Sequence, residues 1–182
     1  MSDSQGPAPD PADALAGVFV AQRPRPELSA QLDLFAPLIG SWSLVVSDYG
    51  PDGSVEISDA EWHFGWALDG RAVADVWLSP SRAARDAGAP DGEWGVSIRF
   101  YDAALGAWRS TWLGPKRGWV IPFVGRRTAD GIDLVGERDG TALRWQFSHL
   151  TADSFTWQAE ETPPGGRPWV RQRFTATRMR WE

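Results

Sequence analysis

From about residue 41 onward the chain alternates. Large apolar or aromatic residues are followed by polar or small ones, as in Trp62-His63-Phe64-Gly65-Trp66 and Arg144-Trp145-Gln146-Phe147-Ser148. A period of two is that of a strand with one buried face. Five Asp-Gly pairs (Asp52-Gly53, Asp69-Gly70, Asp91-Gly92, Asp130-Gly131 and Asp139-Gly140) punctuate these runs. Both residues tolerate the positive φ of a type I′ turn, so each pair is suited to folding one strand back on the last. Strands are predicted at 41 to 48, 54 to 67, 71 to 79, 93 to 101, 107 to 113, 118 to 127, 131 to 138, 141 to 149, 154 to 161 and 168 to 178. Ten short strands with short connections predict an all-β fold, a ten-stranded up-and-down antiparallel β-barrel. The connection at 80 to 91 is longer, and long loops at a barrel mouth often gate it.

Upstream of the strands, Leu28, Leu32 and Phe35 share one side of a short helix predicted from Ser29 to Ala36 and ended by Pro37. It is placed to cap a barrel. Residues 1 to 27 carry Pro7, Pro9, Pro11, Pro24 and Pro26 among small and acidic residues, which predicts a flexible tail with one loose helical turn at 14 to 20. Residues 28 to 182 are then the barrel domain.

A two-residue turn at Asp69-Gly70 fixes a register in which Leu68 faces Arg71, Trp66 faces Val73, Phe64 faces Asp75 and Trp62 faces Trp77. One carboxylate therefore sits among aromatics. On an inner face Asp75 is desolvated and its pKa rises, which makes it a candidate general acid or base, or an anchor for a polar ligand group, with Arg99 and Tyr101 on the next strand as partners. The alternative is a structural ion pair between Asp75 and Arg99. The same turn logic at Asp139-Gly140 sets Gly136 opposite Leu143, Leu134 opposite Trp145 and Ile132 opposite Phe147, and His149 extends that face. His149 is either an axial haem ligand or a solvated strand-end histidine. His63 shares a face with Glu61, opposite the aromatic set, and is expected to point outward. Two histidines without a cysteine give no metal cluster, and no cofactor is expected.

Composition narrows the function classes. With 182 residues, 42% of them hydrophobic, there is material for one domain and one core. Eighteen Lys and Arg against 24 Asp and Glu give a net charge of -6, which disfavours nucleic acid and anionic membrane as partners. The absence of cysteine excludes disulfides and thiolate metal sites and suits a reducing compartment. Ala12 to Ala21 is interrupted by Asp13 and has no basic residue before it, so it fits neither a secretory signal nor a membrane span, and a cytoplasmic location is expected. Arg almost wholly replaces Lys, and Ala, Gly and Pro are plentiful, as in a high-GC bacterial source.

Leu38-Ile39-Gly40-Ser41-Trp42 places Gly-x-Trp at the first strand, after a short helix. With Asp69-Gly70-Arg71, Asp75-Val76-Trp77, Arg99-Phe100-Tyr101-Asp102, Trp108, Trp112 and Ser154-Phe155-Thr156-Trp157, the region from about 36 to 180 resembles bacterial lipocalin-like proteins of unknown function in the calycin superfamily. The resemblance implies a barrel with a ligand cavity and no established reaction. It also implies an Arg from the last strand stacked on Trp42, a structural role open to Arg171, Arg173 or Arg178.

Twelve tryptophans could fill such a barrel solidly. Indole is bulky and each N–H wants a partner, so a Trp face that includes Asp75 and Ser110 suits a partly hollow cavity better. Trp62, Phe64, Trp66, Trp77, Trp108, Trp112, Trp145, Phe147 and His149 are the expected ligand-binding residues. No nucleophile elbow, phosphate loop, dinucleotide fingerprint or HExxH occurs. The first reading is a binder of a small hydrophobic or aromatic metabolite. Its rivals are a cofactor-independent cyclase or isomerase using Asp75, Arg99 or Tyr101, a haem-binding barrel, and a ligandless barrel that pairs into a homodimer.

Overall fold

A computed structural model of the protein describes residues 10–180. Eleven strands form one antiparallel sheet: β1 (Val20–Ala21), β2 (Gly40–Tyr49), β3 (Val55–Ala67), β4 (Ala72–Ser79), β5 (Glu93–Asp102), β6 (Ala107–Gly114), β7 (Trp119–Arg127), β8 (Gly131–Arg138), β9 (Thr141–Ser148), β10 (Ser154–Thr162) and β11 (Trp169–Arg178). Each of β2 to β11 pairs with its sequence neighbours, and β11 pairs back onto β2. The result is a closed ten-stranded up-and-down barrel of the calycin type, with no free sheet edge along its circumference. The predicted strands coincide with β2 to β11 to within a residue or so at each end.

Turn chemistry sets the register as anticipated. Asp139 and Gly140 take φ of 52° and 77°, and Arg138 pairs with Thr141 across them. Asp69 and Gly70 behave alike, and the pairs Trp62–Trp77, Phe64–Asp75 and Trp66–Val73 follow. Asp91-Gly92 departs from the pattern. It ends the long connection before β5, and Gly92 is required there because any side chain would run into the Ser79–Pro80 backbone.

The two ends of the barrel differ. At one end the helix expected over Ser29–Ala36 is reduced to one helical turn, α2 (Ser29–Leu32), preceded by a 3-10 turn at Pro26–Leu28 and followed by another at Ala36–Leu38. Pro37, at the start of the second 3-10 turn, has no N–H to give and a ring that clashes with the carbonyl four residues back, so an α-helix cannot run on from α2 through it. The side chains of Leu32, Phe35 and Leu38 are buried and plug the barrel. Trp42 is fully buried above them and donates to the Leu38 carbonyl at 2.7 Å. Arg178 is the arginine that covers it, with its guanidinium carbon 4.0 Å from the ring centroid and donations to the carbonyls of Pro37, Ile39 and Ala152. Gly40 sits under that guanidinium at φ 128°, where a Cβ would lie 2.5 Å from Arg178 Nη1.

Residues 1–9 of the expected tail lie outside the described residues. Of the remainder, Pro11–Phe19 form helix α1, started by Asp10, whose side chain accepts from the Ala12 amide, and by Pro11 at its first position. β1 then continues the ladder that β2 leaves at Phe64, pairing with Trp66 and Ala67 so that the protruding end of β3 keeps its backbone partners. Phe19 packs on Ala67, Ala72 and Ala74 of the outer face. Further on, the Arg25 amide donates to Gly70 O, and its guanidinium binds Asp69.

Candidate functional site

At the end opposite the plug, the inner face opens into a cavity of about 540 Å³. Its walls are the indoles of Trp62, Trp77, Trp112, Trp119, Trp145 and Trp157, brought together from β3, β4, β6, β7, β9 and β10 by the alternation of each strand. Five of the rings form a connected set, and Trp119 stands against Arg117 and Arg138 instead. Trp62 lies 5.4 Å from Trp77 and 6.0 Å from Trp157, and Trp145 lies 5.5 Å from Trp157 and 6.0 Å from Trp112, mostly edge to face. Gly95 makes room for this wall, because a Cβ there would strike the ring of Trp112.

Charged groups ring the mouth in pairs: Arg171 with Asp48 at 3.0 Å, and Arg138 with Glu161 at 3.2 Å. The long connection forms part of the rim through Pro80, Ala84, Ala89 and Pro90, and carries a short helix α3 (Arg82–Asp86). It is fastened to the outside of β3 by Glu61, which accepts from the Arg82 amide at 2.7 Å and from its guanidinium at 2.9 and 3.0 Å. Burial pulls the Glu61 carboxyl upward, but hydrogen bonds from Arg82 and His63 outweigh it and hold it below the usual carboxylate range. His63 is on the outer face, as expected, bridging Glu61 at 3.0 Å and Ser41 at 2.8 Å.

Asp75 and Arg99 lie below the cavity floor, both fully buried. Asp75 Oδ1 accepts from Trp62 Nε1 at 2.6 Å, and Oδ2 accepts from Arg99 Nη1. Burial pushes the Asp75 carboxyl above its ordinary range, against the opposing pull of the Arg99 guanidinium and the Trp62 N–H. The guanidinium is sandwiched by aromatics, 5.3 Å from the Phe35 centroid and 5.6 Å from that of Phe64. Trp62 thus faces two ways, lining the cavity while its N–H closes off the carboxylate beneath.

Of the sequence-predicted residues, Trp62, Trp77, Trp112 and Trp145 meet in the cavity. Phe64, Trp66, Trp108 and Phe147 are not part of its lining. Phe64 and Phe147 pack beneath Trp62 at 4.7 and 5.4 Å, Trp108 stands edge-on to Phe35 at 4.7 Å, and Trp66 packs at the plugged end. All four face inward, but at the level the helical plug fills. Tyr101 belongs to that level too, 6.2 Å from Trp108, so Asp75, Arg99 and Tyr101 have no surface on the cavity. His149 is exposed on the turn after β9 with φ 53°, at the plugged end and away from the cavity. The cavity residues absent from the predicted set include Trp119, Trp157, the charged groups of the mouth and residues of the long connection; continuing the inner-face parity along β7 and β10 would have found the two tryptophans. Among the described residues, no three His, Asp or Glu side chains converge as a metal site, and no helix is long and apolar enough to cross a membrane.

No protein-family pattern matches the chain, and no curated protein matches it in sequence. Solved structures do match in fold. The S-type phycobiliprotein lyase CPES from Guillardia theta superposes with a TM-score of 0.54 at 12% identity, over 84% of this chain and 94% of that one. Rv2717c from M. tuberculosis superposes with a TM-score of 0.61 at 15% identity, over 86% of this chain and 99% of its own, and at these identities the likeness is one of fold: a closed calycin-like barrel.

Proposed function

We propose that the protein binds a small, largely apolar or aromatic molecule in the tryptophan-walled cavity. One observation carries this: a 540 Å³ space is left open at one end of a barrel whose other end is filled by the same kinds of side chain. A volume of that order suits a metabolite-sized ligand. Flat ligands stack best against indole faces. A fold neighbour named as a phycobiliprotein lyase is compatible with small-molecule work in this architecture. The isomerase and haem readings have no comparable support, since Asp75 and Arg99 are sealed below the floor and His149 lies at the far end.

Native mass spectrometry of the protein purified from its own host, with an absorption spectrum of the same sample, tests the reading. The expected result is a co-purifying small molecule bound one to one. Ser58 faces inward at the mouth, and Ser58→Trp should abolish that adduct while changing stability by only about 0.5 kcal/mol. An adduct that survives Ser58→Trp would place the ligand elsewhere and overturn the assignment.

A further inference from the structure

The indole N–H groups narrow the chemistry of the occupant. Of the six indoles that wall the cavity, only that of Trp62 has an acceptor for its N–H among the described residues, Asp75 at 2.6 Å. Trp77 and Trp112 are each 8% exposed and Trp157 is 4% exposed, and none of the three donates to a protein acceptor. A buried indole N–H ordinarily finds a partner, because leaving a donor unmade is costly. These three side chains face inward, so the acceptor they lack has to enter through the mouth.

The donors stand on both sides of the space. Trp77 on β4 is paired with Gly95, and the ring of Trp112 on β6 lies over the same glycine, so these two share one wall. Trp157 comes from β10, five strands round the barrel from β5. A ligand that displaces water from such donors and offers nothing in return loses affinity, whereas one that brings acceptors keeps the bonds.

The charged groups of the mouth disfavour an ionic occupant. Arg171 meets Asp48 at 3.0 Å, Arg138 meets Glu161 at 3.2 Å and Arg117 lies 3.9 Å from Glu93, so each arginine of the lining already faces a carboxylate. A charge carried down among the indoles would be buried without a partner.

We infer that the cavity selects an uncharged, planar aromatic compound bearing carbonyl oxygens, which accept from the N–H groups of Trp77, Trp112 and Trp157 while its rings lie among the indole faces. This rests on the binding function proposed above.

Three probes of one shape separate the two ideas: fluorenone with a carbonyl, fluorene without one, and a fluorenone carboxylate with a carbonyl and a charge. Equilibrium dialysis against the full chain gives each affinity, and the infrared carbonyl band of bound fluorenone reports hydrogen bonding directly. Fluorenone should bind about fivefold more tightly than fluorene and about tenfold more tightly than the carboxylate, with its band below the position it takes in hexane. Trp77→Phe, Trp112→Phe and Trp157→Phe each keep an aromatic ring and remove one N–H. At least one of them should lower the fluorenone-to-fluorene preference to about one and return the band toward its hexane position. Fluorene binding as tightly as fluorenone, an unshifted band, or no response in any of the three variants overturns the carbonyl assignment and leaves the binding function standing. A carboxylate that binds as tightly as fluorenone overturns the requirement for an uncharged ligand. Failure of all three probes to bind overturns both ideas. Should the variants not fold, the affinities and the band measured on the unaltered protein still decide.

Discussion

The two ends of this barrel are built from the same residue types and finished in opposite ways. At the plugged end, Phe35 and Leu38 descend between the strands, Trp42 bonds to the plug's own backbone, and Arg178 closes over it with three carbonyl acceptors. At the open end, six tryptophans face a space, and the rim is held by ion pairs and by a surface segment latched through Glu61. Trp62, Trp77, Trp112 and Trp157 are nonetheless buried, so the cavity lies beside a core they already belong to, and what is missing on that side is the packing a plug would supply. The comparison teaches that one kind of inner face gives a filled core where a helical segment docks and a cavity where none does. Between them, the Asp75–Arg99 pair and the indole of Trp62 form the partition.

Breaking the partition should have the largest effect. Arg99→Ala strands a buried carboxylate and is expected to cost about 3–5 kcal/mol in denaturant unfolding, whereas Asp75→Leu combined with Arg99→Met should recover most of it, because an apolar pair of similar volume avoids the desolvation cost. A loss below about 1 kcal/mol for Arg99→Ala would mean that the pair does not secure the partition.

Removing the seal at the plugged end comes next. Arg178→Ala loses the contact with Trp42 and leaves carbonyls of the plug unpaired, for an expected loss of about 2–3 kcal/mol. Affinity for a cavity probe should be unchanged. A fall in affinity equal to the fall in stability would show that the two ends are coupled rather than divided.

The smallest effect belongs to the latch at the open end. The folded-state pKa of Glu61 is held below its usual value of about 4.5, so its contribution is fully present above that pH and is lost as pH falls through the folded-state pKa. Urea midpoints measured against pH should therefore show Glu61→Gln less stable at neutral pH, by on the order of 1 kcal/mol, with a flatter acid limb than the parent. An identical acid limb in both proteins would remove Glu61 from the rim's support.

Much of the architecture was legible because it is local. Asp139-Gly140 and Asp69-Gly70 demand left-handed backbone, that demand fixes the turn, and the turn fixes which residues face each other along both hairpins. The Asp75–Arg99 pairing was legible as one of two alternatives, since the predicted strand order put Arg99 on the strand next to Asp75. Depth was not legible. Phe64 and Trp62 read alike in the alternation, yet one lies under the floor and the other on it, because the level reached by Phe35 depends on how the broken helix docks. Of the two readings of His149, its exposure matches the solvated strand-end one: its parity extended the inner face of β9, but with left-handed backbone it leaves the strand.

The sequence by itself determined the ten strands, their up-and-down order and the registers of the hairpins at Asp69-Gly70 and Asp139-Gly140, all of which follow from a period of two and from turns spanning a few residues. Only the tertiary structure decided which end is filled, where the cavity lies, which arginine covers Trp42 and whether Asp75 meets a ligand or a partner. Those depend on contacts between segments far apart in the chain, Arg178 with Pro37 or Arg99 with Phe35, and nothing in local backbone preference specifies the height at which two distant side chains meet inside a closed barrel.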